Sequence, residues 1–230
     1  MAARFEELDF QQTPVGEISL RRRYDLTAQI DIYEVRLGEE YLMSSLFTAA
    51  ERDLASLALT MLDRDGLTVL VGGLGLGYTA HTALADPRVA DLTVMDVAEP
   101  VIDWHRRGLL PETAGLATDP RCRLVLRDFF HMVTTEPEIT YDAILLDVDH
   151  TPRHVLHPSH ADFYTAAGLQ AMRRHLTEDG VFALWSDDPP DAGFQETLAE
   201  VFGSTSAEVV IFANPLTGGE SSNTVYLATG

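Results

Sequence analysis

The 230-residue chain carries a formal net charge of -20, and all 16 of its basic residues are arginine. A hydrophobic content of 46% is enough for a sizeable core, whereas the excess of negative charge disfavours a nucleic-acid partner, because phosphates would be repelled. The sequence lacks the run of about 18 apolar residues that a membrane span needs, and the N-terminus does not have the pattern of a secretory signal. Since Cys122 is the single cysteine, an internal disulfide and a thiolate metal site are excluded. We therefore expect a cytoplasmic protein without a nucleic-acid or membrane partner.

The first predicted element is a small antiparallel sheet over residues 16–43, where apolar residues recur at every second position. A helix is predicted next, over residues 48–63. Its first residues, Thr48 and Glu51, have the spacing of a capping box, and apolar residues follow on one helical face.

Beyond Gly66, short continuous apolar runs alternate with helical stretches. Such runs are typical of strands that are covered on both faces, as in a parallel sheet flanked by helices. Two β-rich runs, residues 206–213 and 223–228, end the chain and predict an antiparallel hairpin. The pattern divides the chain into a small N-terminal β-rich segment, residues 1–47, and an α/β domain, residues 48–230.

A glycine-rich turn lies between the first strand and the first helix of this α/β sequence. Its glycines, Gly73, Gly75 and Gly77, allow a tight turn and the close approach of a ligand to the backbone. Asp96 ends the next strand about twenty residues later, where a carboxylate accepts hydrogen bonds from a ribose diol. A tight turn beside a strand-end acid is the alternative. The pattern favours a nucleoside site.

The residues around the turn distinguish between types of nucleotide. Leu74, Leu76 and Tyr78 crowd it, which disfavours a dinucleotide and therefore a nicotinamide oxidoreductase, because a pyrophosphate needs free amides at the helix N-terminus. The third strand ends at Asp128 and Phe129, an acid beside an aromatic ring that suits an adenine. The alternatives are a helix N-cap and a core aromatic. We expect an adenosine without phosphates.

Two carboxylates and four histidines follow the fourth strand. Asp147 ends that strand and Asp149 is expected to point toward the same cleft, where two acids bind an ammonium group and accept a proton from it. A strand-end cap and a solvated loop acid are the alternatives. The histidines between residues 150 and 160 are interrupted by two prolines, so we predict no metal site. We expect a loop over the site with His150 near enough to act, or else solvated surface histidines.

Residues 67–229 resemble spermidine synthase and its relatives within the class I S-adenosylmethionine-dependent methyltransferase fold. The motifs that carry the resemblance are GGLGLGYT, Asp96, Asp128-Phe129, YDAILLDVD, Phe163-Tyr164 and WSDDP. The resemblance implies a Rossmann-like seven-stranded sheet with a C-terminal antiparallel hairpin, either S-adenosylmethionine or decarboxylated S-adenosylmethionine as cofactor, and a homodimer.

The site residues that we predict fall into three groups. The cofactor contacts are Gly73, Gly75, Gly77, Asp96, Val97, Asp128, Phe129 and Asp147. The catalytic residues are Asp147, Asp149 and His150. Tyr24 and Tyr164 are expected as substrate-binding walls of the pocket.

The chain differs from the spermidine synthases in two of their motifs. Their Gly-Gly-Gly-Asp-Gly-Gly loop, whose acid receives the aminopropyl amine, has no acid in this chain. In the catalytic loop Asp147 matches the first acid, while His150 stands in place of the second and Asp149 one residue earlier. We expect aminopropyl transfer to an amine acceptor. The alternatives are methyl transfer from S-adenosylmethionine to a small molecule and a non-catalytic module that binds an adenosine cofactor.

Overall fold

The computed structural model describes residues 5–14, 16–26 and 29–230, which form two β-sheets and six α-helices. The first sheet is antiparallel, and its four strands lie side by side in chain order. Their bounds are β1, Phe5–Thr13; β2, Gly16–Asp25; β3, Ile30–Leu37; and β4, Glu40–Ser44. The antiparallel sheet predicted over residues 16–43 is therefore confirmed. The strand β1 was not predicted, because its side chains are exposed or half-buried and carry no regular alternation of apolar residues.

The helix α1 runs from Ala49 to Thr60, within the range predicted for it. The predicted capping box is wrong, because the Thr48 side chain makes no cap hydrogen bond. Glu51 instead lies on the buried face of the helix together with Leu54, Ala55 and Ala58. The boundary near residue 47, between β4 and α1, stays a prediction.

The second sheet has seven strands in the order β10-β11-β9-β8-β5-β6-β7, and it confirms the predicted Rossmann-like α/β fold with a terminal hairpin. β5 to β9 are parallel to one another, whereas β11 is antiparallel to both β9 and β10. The bounds are β5, Leu67–Gly72; β6, Val89–Asp96; β7, Cys122–Leu126; β8, Tyr141–Leu146; β9, Leu176–Ser186; β10, Ser204–Asn214; and β11, Gly219–Thr229.

Helices cover both faces of this sheet, as the continuous apolar strands require. The helices α1 to α3 contribute to one apolar core layer and α4 to α6 to the other. The bounds of the last five are α2, Tyr78–Ala85; α3, Glu99–Arg106; α4, Phe129–Val133; α5, Ala166–Arg173; and α6, Ala192–Ala199. None of the helices in the described ranges is long and apolar enough to cross a membrane.

The order of the strands produces a crevice between β5 and β8. The chain passes from β5 outward to β6 and β7, and then returns to β8 on the opposite side of β5. Connections therefore leave the carboxyl ends of β5 and β8 in opposite directions. Open α/β sheets bind their ligands at such a switch point.

The N-terminal sheet packs over this end of the large sheet. Ile18, Leu20 and Val35 belong to the same core layer as α1 to α3. The Trp104 indole N–H donates to Asp9 Oδ2 on β1 at 2.7 Å. These contacts bring β4 to the glycine-rich turn after β5 and make it part of the site.

Candidate active site

A cleft of about 880 Å³ opens at the carboxyl ends of the parallel strands, and both sheets contribute to its walls. That volume lies within the range of about 300–1,000 Å³ that is usual for small-molecule sites. Among the described residues, its lining includes Arg127 and five acids: Glu51, Asp96, Asp128, Asp147 and Asp187. A cleft with this excess of acidic groups favours a cationic ligand.

The glycine-rich turn places two of its three glycines at the cleft, and their contact with a cofactor stays a prediction. Gly73 and Gly75 line it with positive φ angles of 94° and 45°. A Cβ atom on Gly73 would lie 2.0 Å from the carbonyl oxygen of Asp147, so the turn and the end of β8 are in direct contact. Gly77 differs from the prediction. It precedes α2 with a φ of 87° and faces His105, where it serves the turn itself and not the cleft.

The contact at Gly73 predicts a specific cost for adding one methyl group. We expect Gly73→Ala to lower the free energy of unfolding by about 2–4 kcal/mol, because about 1–2 kcal/mol for positive φ adds to an overlap of similar cost. Gly108→Ala is the matched control, since its φ is 68° and nothing lies within 4 Å of the added carbon. Thermal unfolding of both variants measures the difference. Equal losses of Tm would contradict the close packing of the turn against β8.

Asp96 lies at the end of β6, as predicted, and faces the cleft. Its Oδ2 accepts a hydrogen bond from the Leu74 amide at 3.0 Å and its Oδ1 one from the Ala98 amide at 2.8 Å. Burial raises the pKa of this carboxyl, and the amide hydrogen bonds oppose that rise. The backbone amides of Gly75 and Val97 also act on this carboxylate, which has about four lone-pair sites in all. Val97 lines the cleft beside it with 51% of its surface exposed.

Asp128 and Phe129 lie at the cleft, as predicted, and they are also a helix N-cap and a core aromatic, which were the alternatives. Both line the cleft. Asp128 is also the N-cap of α4, since its Oδ1 accepts from the His131 amide at 3.1 Å. Phe129 is 3% exposed and packs against Phe163 with ring centroids 5.7 Å apart. A capping acid and a core aromatic thus present one edge each to the cleft.

Asp147 follows β8 and lies in the cleft next to the glycine-rich turn. The Thr79 hydroxyl on α2 donates to Asp147 Oδ2 at 2.8 Å. Burial raises the pKa of Asp147 to about 6, although the hydrogen bond from Thr79 acts in the opposite direction. This carboxyl is therefore a stronger base than an exposed aspartate and is still largely ionised near neutral pH.

Glu51 is a site residue that the sequence reasoning missed. It reaches the cleft from the first turn of α1 and is 8% exposed. Burial first and the charge of Asp147 second raise the pKa of Glu51 to about 8. A signal was present in the sequence: Glu51 shares the i, i+3, i+4, i+7 face of Leu54, Ala55 and Ala58, and a carboxylate on an apolar helix face needs a reason other than capping.

Asp149 and Tyr164 do not lie where we expected them. Asp149 is 1% exposed, and its carboxylate accepts from the Leu156 amide at 2.7 Å, from His160 Nδ1 at 2.8 Å and from the Tyr164 hydroxyl at 2.8 Å. These hydrogen bonds hold the following loop, and the Asp149 side chain is not among the residues that line the cleft. Tyr164 is 8% exposed and belongs to the same buried contact. Tyr24 also differs, since it lies on β2 outside the residues that line the cleft.

The four histidines of the loop have separate surroundings. His150 lines the cleft, as expected, with Nε2 2.9 Å from Glu40 Oε1 on β4. His157 and His160 line it as well, and His160 stacks on Phe130 with ring centroids 3.8 Å apart. The His154 side chain is 76% exposed. The loop thus forms one wall of the cleft through three of its imidazoles.

Known proteins resemble this chain in sequence. The model of the spermine/spermidine synthase domain matches residues 48–199. The polyamine aminopropyltransferase of Bacillus subtilis (strain 168) is 32% identical over 143 residues, which are 60% of this chain and 49% of that protein. Putrescine N-methyltransferase 2 of Nicotiana tabacum is 33% identical over 79 residues, or 34% of this chain and 22% of that one. The matches thus span about half, or less, of these relatives.

The fold is similar to that of solved spermidine synthases. The structure of spermidine synthase from Thermotoga maritima superposes with a TM-score of 0.76 at 21% identity, covering 97% of this chain and 72% of that one. A probable spermidine synthase from Corynebacterium glutamicum ATCC 13032 gives a TM-score of 0.68 at 16% identity, over 97% and 79% of the two chains. Because the domain model covers well over half of the sequence, the chain belongs to the spermine/spermidine synthase family.

Proposed function

We propose that the protein transfers an aminopropyl group from decarboxylated S-adenosylmethionine to a small amine. The observation that carries the proposal is the cleft at the β5–β8 switch point, whose described lining contains five acidic residues and one arginine. Donor and acceptor are both cations at neutral pH, one through its sulfonium and ammonium groups and the other through its amine. The similarity to a polyamine aminopropyltransferase supports the same reaction.

The residues at the carboxyl ends of β5, β6 and β7 fit an adenosine without phosphates. Gly73 and Gly75 bring the backbone of the turn to the cleft, where the Asp96 carboxylate would accept from the ribose hydroxyls. Asp128 and Phe129 supply an acceptor and a ring edge for the adenine. Val97 adds an apolar contact at the rim. A bound donor would then direct its sulfur toward Asp147, on the other side of the glycine-rich turn.

Asp147 carries the chemical step in this proposal. The donor supplies an alkyl carbon attached to a positively charged sulfur. Asp147 orients the acceptor amine in line with that carbon and takes the proton that the amine loses, while the electrons of the breaking carbon–sulfur bond remain on sulfur as a neutral thioether. His150 assists at the acceptor side, where Glu40 fixes its ring. Holding the reactants in line supplies most of the rate enhancement.

Methyl transfer from S-adenosylmethionine is the second candidate, and one observation favours it. Met43 Sδ lies beside Gly75 and 3.1 Å from the Leu76 amide, so the turn presents a thioether and no carboxylate to the donor's tail. A putrescine N-methyltransferase is among the similar proteins. A non-catalytic module that binds an adenosine cofactor is the third candidate.

We further propose a cytoplasmic homodimer that binds neither nucleic acid nor membranes. Analytical ultracentrifugation tests the oligomeric state, and cell fractionation tests the location.

Product analysis separates these candidates. The protein is incubated with putrescine and either donor, and the products are identified by mass spectrometry. Aminopropyl transfer yields methylthioadenosine and an aminopropylated amine, whereas methyl transfer yields S-adenosylhomocysteine and an N-methylated amine. We expect the first pair. Calorimetric binding of both donors and of methylthioadenosine without turnover on an amine panel would favour the non-catalytic module and contradict the proposed reaction.

A further inference from the structure

Two carboxyl groups from different elements line the same cleft, and the charge of one acts on the other. Glu51 comes from the first turn of α1 and Asp147 from the end of β8. The Thr79 hydroxyl joins the two elements, since it lies 2.8 Å from Asp147 Oδ2 and 3.2 Å from the backbone carbonyl oxygen of Glu51. Both acids line the cleft, so a ligand reaches them without a rearrangement of the fold.

The pair lacks a direct counter-cation in the described part of the chain, where neither acid takes part in an ion pair. The charged groups that act on Glu51 are Asp147, Arg52 and Asp187. Arg52 is directed elsewhere, because its guanidinium lies 4.9 Å from the Tyr78 ring centre and 3.8 Å from Glu112. Asp187 adds negative charge, so the surroundings of Glu51 disfavour its ionised form.

Two buried acids without a counter-cation share a proton, because both cannot ionise at close range in a low-dielectric site. The raised pKa of Glu51, to which burial and then the charge of Asp147 contribute, agrees with this state. A bound ammonium group stabilises the ionised form of both acids, because it supplies the missing positive charge and donates up to three hydrogen bonds. The proton that the pair retained is then released. The pair is thus suited to exchange one proton for one alkylammonium group.

We propose that Glu51 and Asp147 together bind one primary alkylammonium group of a ligand and release a proton when they do so. The inference rests on the proposed function, which places that ligand in this cleft, and it deepens it by assigning Glu51 to substrate recognition. The aminopropyl tail of decarboxylated S-adenosylmethionine and the amine of a diamine acceptor share this chemistry. The experiment distinguishes the two sources.

Titration calorimetry at pH 7 in two buffers with different ionisation enthalpies counts the protons that are released. The probes are decarboxylated S-adenosylmethionine, putrescine and methylthioadenosine, which has no ammonium group. We expect the wild type to release between about half a proton and one proton with the ligand that reaches the pair, and none with methylthioadenosine. Glu51→Gln should weaken that ligand about tenfold or more and abolish the release, because one charged partner is lost. Its affinity for methylthioadenosine should stay within about twofold.

Glu196→Gln is the matched control, since it removes the same charge from an exposed position of α6. It should behave as the wild type. Proton release with the donor alone assigns the pair to its tail, and release with putrescine assigns it to the acceptor. Binding of all three probes without release would overturn the inference and leave the proposed function standing. Failure of methylthioadenosine and of the donor to bind would overturn both. The proton count of the wild type needs no variant, so poor folding of Glu51→Gln does not obscure the result.

Discussion

Asp147→Asn is expected to lower kcat by about a hundredfold or more while the affinity for methylthioadenosine stays within about twofold. The amide keeps the size of the side chain and still accepts the Thr79 hydrogen bond, but it cannot take a proton, and loss of a general base costs about 10²–10⁴ in rate. Steady-state kinetics and calorimetry measure the two quantities. Asp188→Asn is the matched control, because that aspartate lies next to the cleft rim without lining it.

The pH dependence of the wild type gives an independent check. Asp147 acts in its ionised form, so kcat/KM should fall as the pH drops through its pKa of about 6. Glu51→Gln should leave that acidic limb near the same pH, because Glu51, with a pKa of about 8, is already uncharged where Asp147 titrates. More than a tenth of the wild-type kcat in Asp147→Asn, or an acidic limb that survives in this variant, would remove Asp147 from the chemical step.

Asp96→Ala is expected to weaken S-adenosylmethionine, its decarboxylated form and methylthioadenosine by the same factor, about ten- to a hundredfold. The ribose is common to all three ligands, and hydrogen bonds to a charged acceptor contribute about 1.5–3 kcal/mol. Asp91→Ala is the matched control on the same strand, where the carboxylate forms an exposed ion pair with Arg123 at 2.6 Å. Calorimetry measures all three affinities. Unchanged affinities, or a loss confined to one ligand, would contradict the ribose contact.

The sequence predicted the large sheet because its strands are buried on both faces. Runs such as Leu67–Gly72 and Tyr141–Leu146 are mostly apolar without regular polar alternation, which is typical of a strand covered on both faces. The order of the strands places Gly73 and Asp147 at one switch point, and positions after consecutive parallel strands meet at the same edge of a sheet. The strand ends therefore lie where the motifs predicted them.

The errors have a different origin, in contacts between segments that are distant in sequence. Thr48 and Glu51 fit a capping box by spacing alone, but α1 packs against the large sheet, and burial turns Glu51 into the cleft. Asp149 looked available because it stands two residues from Asp147. Three donors from its own loop hold it instead. Local spacing does not reveal which donors a loop will supply to an acid.

The strand Phe5–Thr13 was missed for a related reason. Its partner, Gly16–Asp25, provides the backbone hydrogen bonds, and its side chains bury little surface. Asp9 fixes it to the domain through the 2.7 Å hydrogen bond from Trp104 and an ion pair with Arg107 at 3.5 Å. Neither residue carries a pattern that links positions 95 residues apart. Pairing with a neighbouring strand is enough to form such an edge strand.

The most direct test of the account is a crystal structure of the protein with methylthioadenosine. We predict that the ribose hydroxyls bind Asp96, that the adenine lies between Val97 and the Asp128-Phe129 edge, and that the sulfur faces Asp147. A nucleoside bound outside the β5–β8 crevice, or one whose sulfur points away from Asp147, would contradict it.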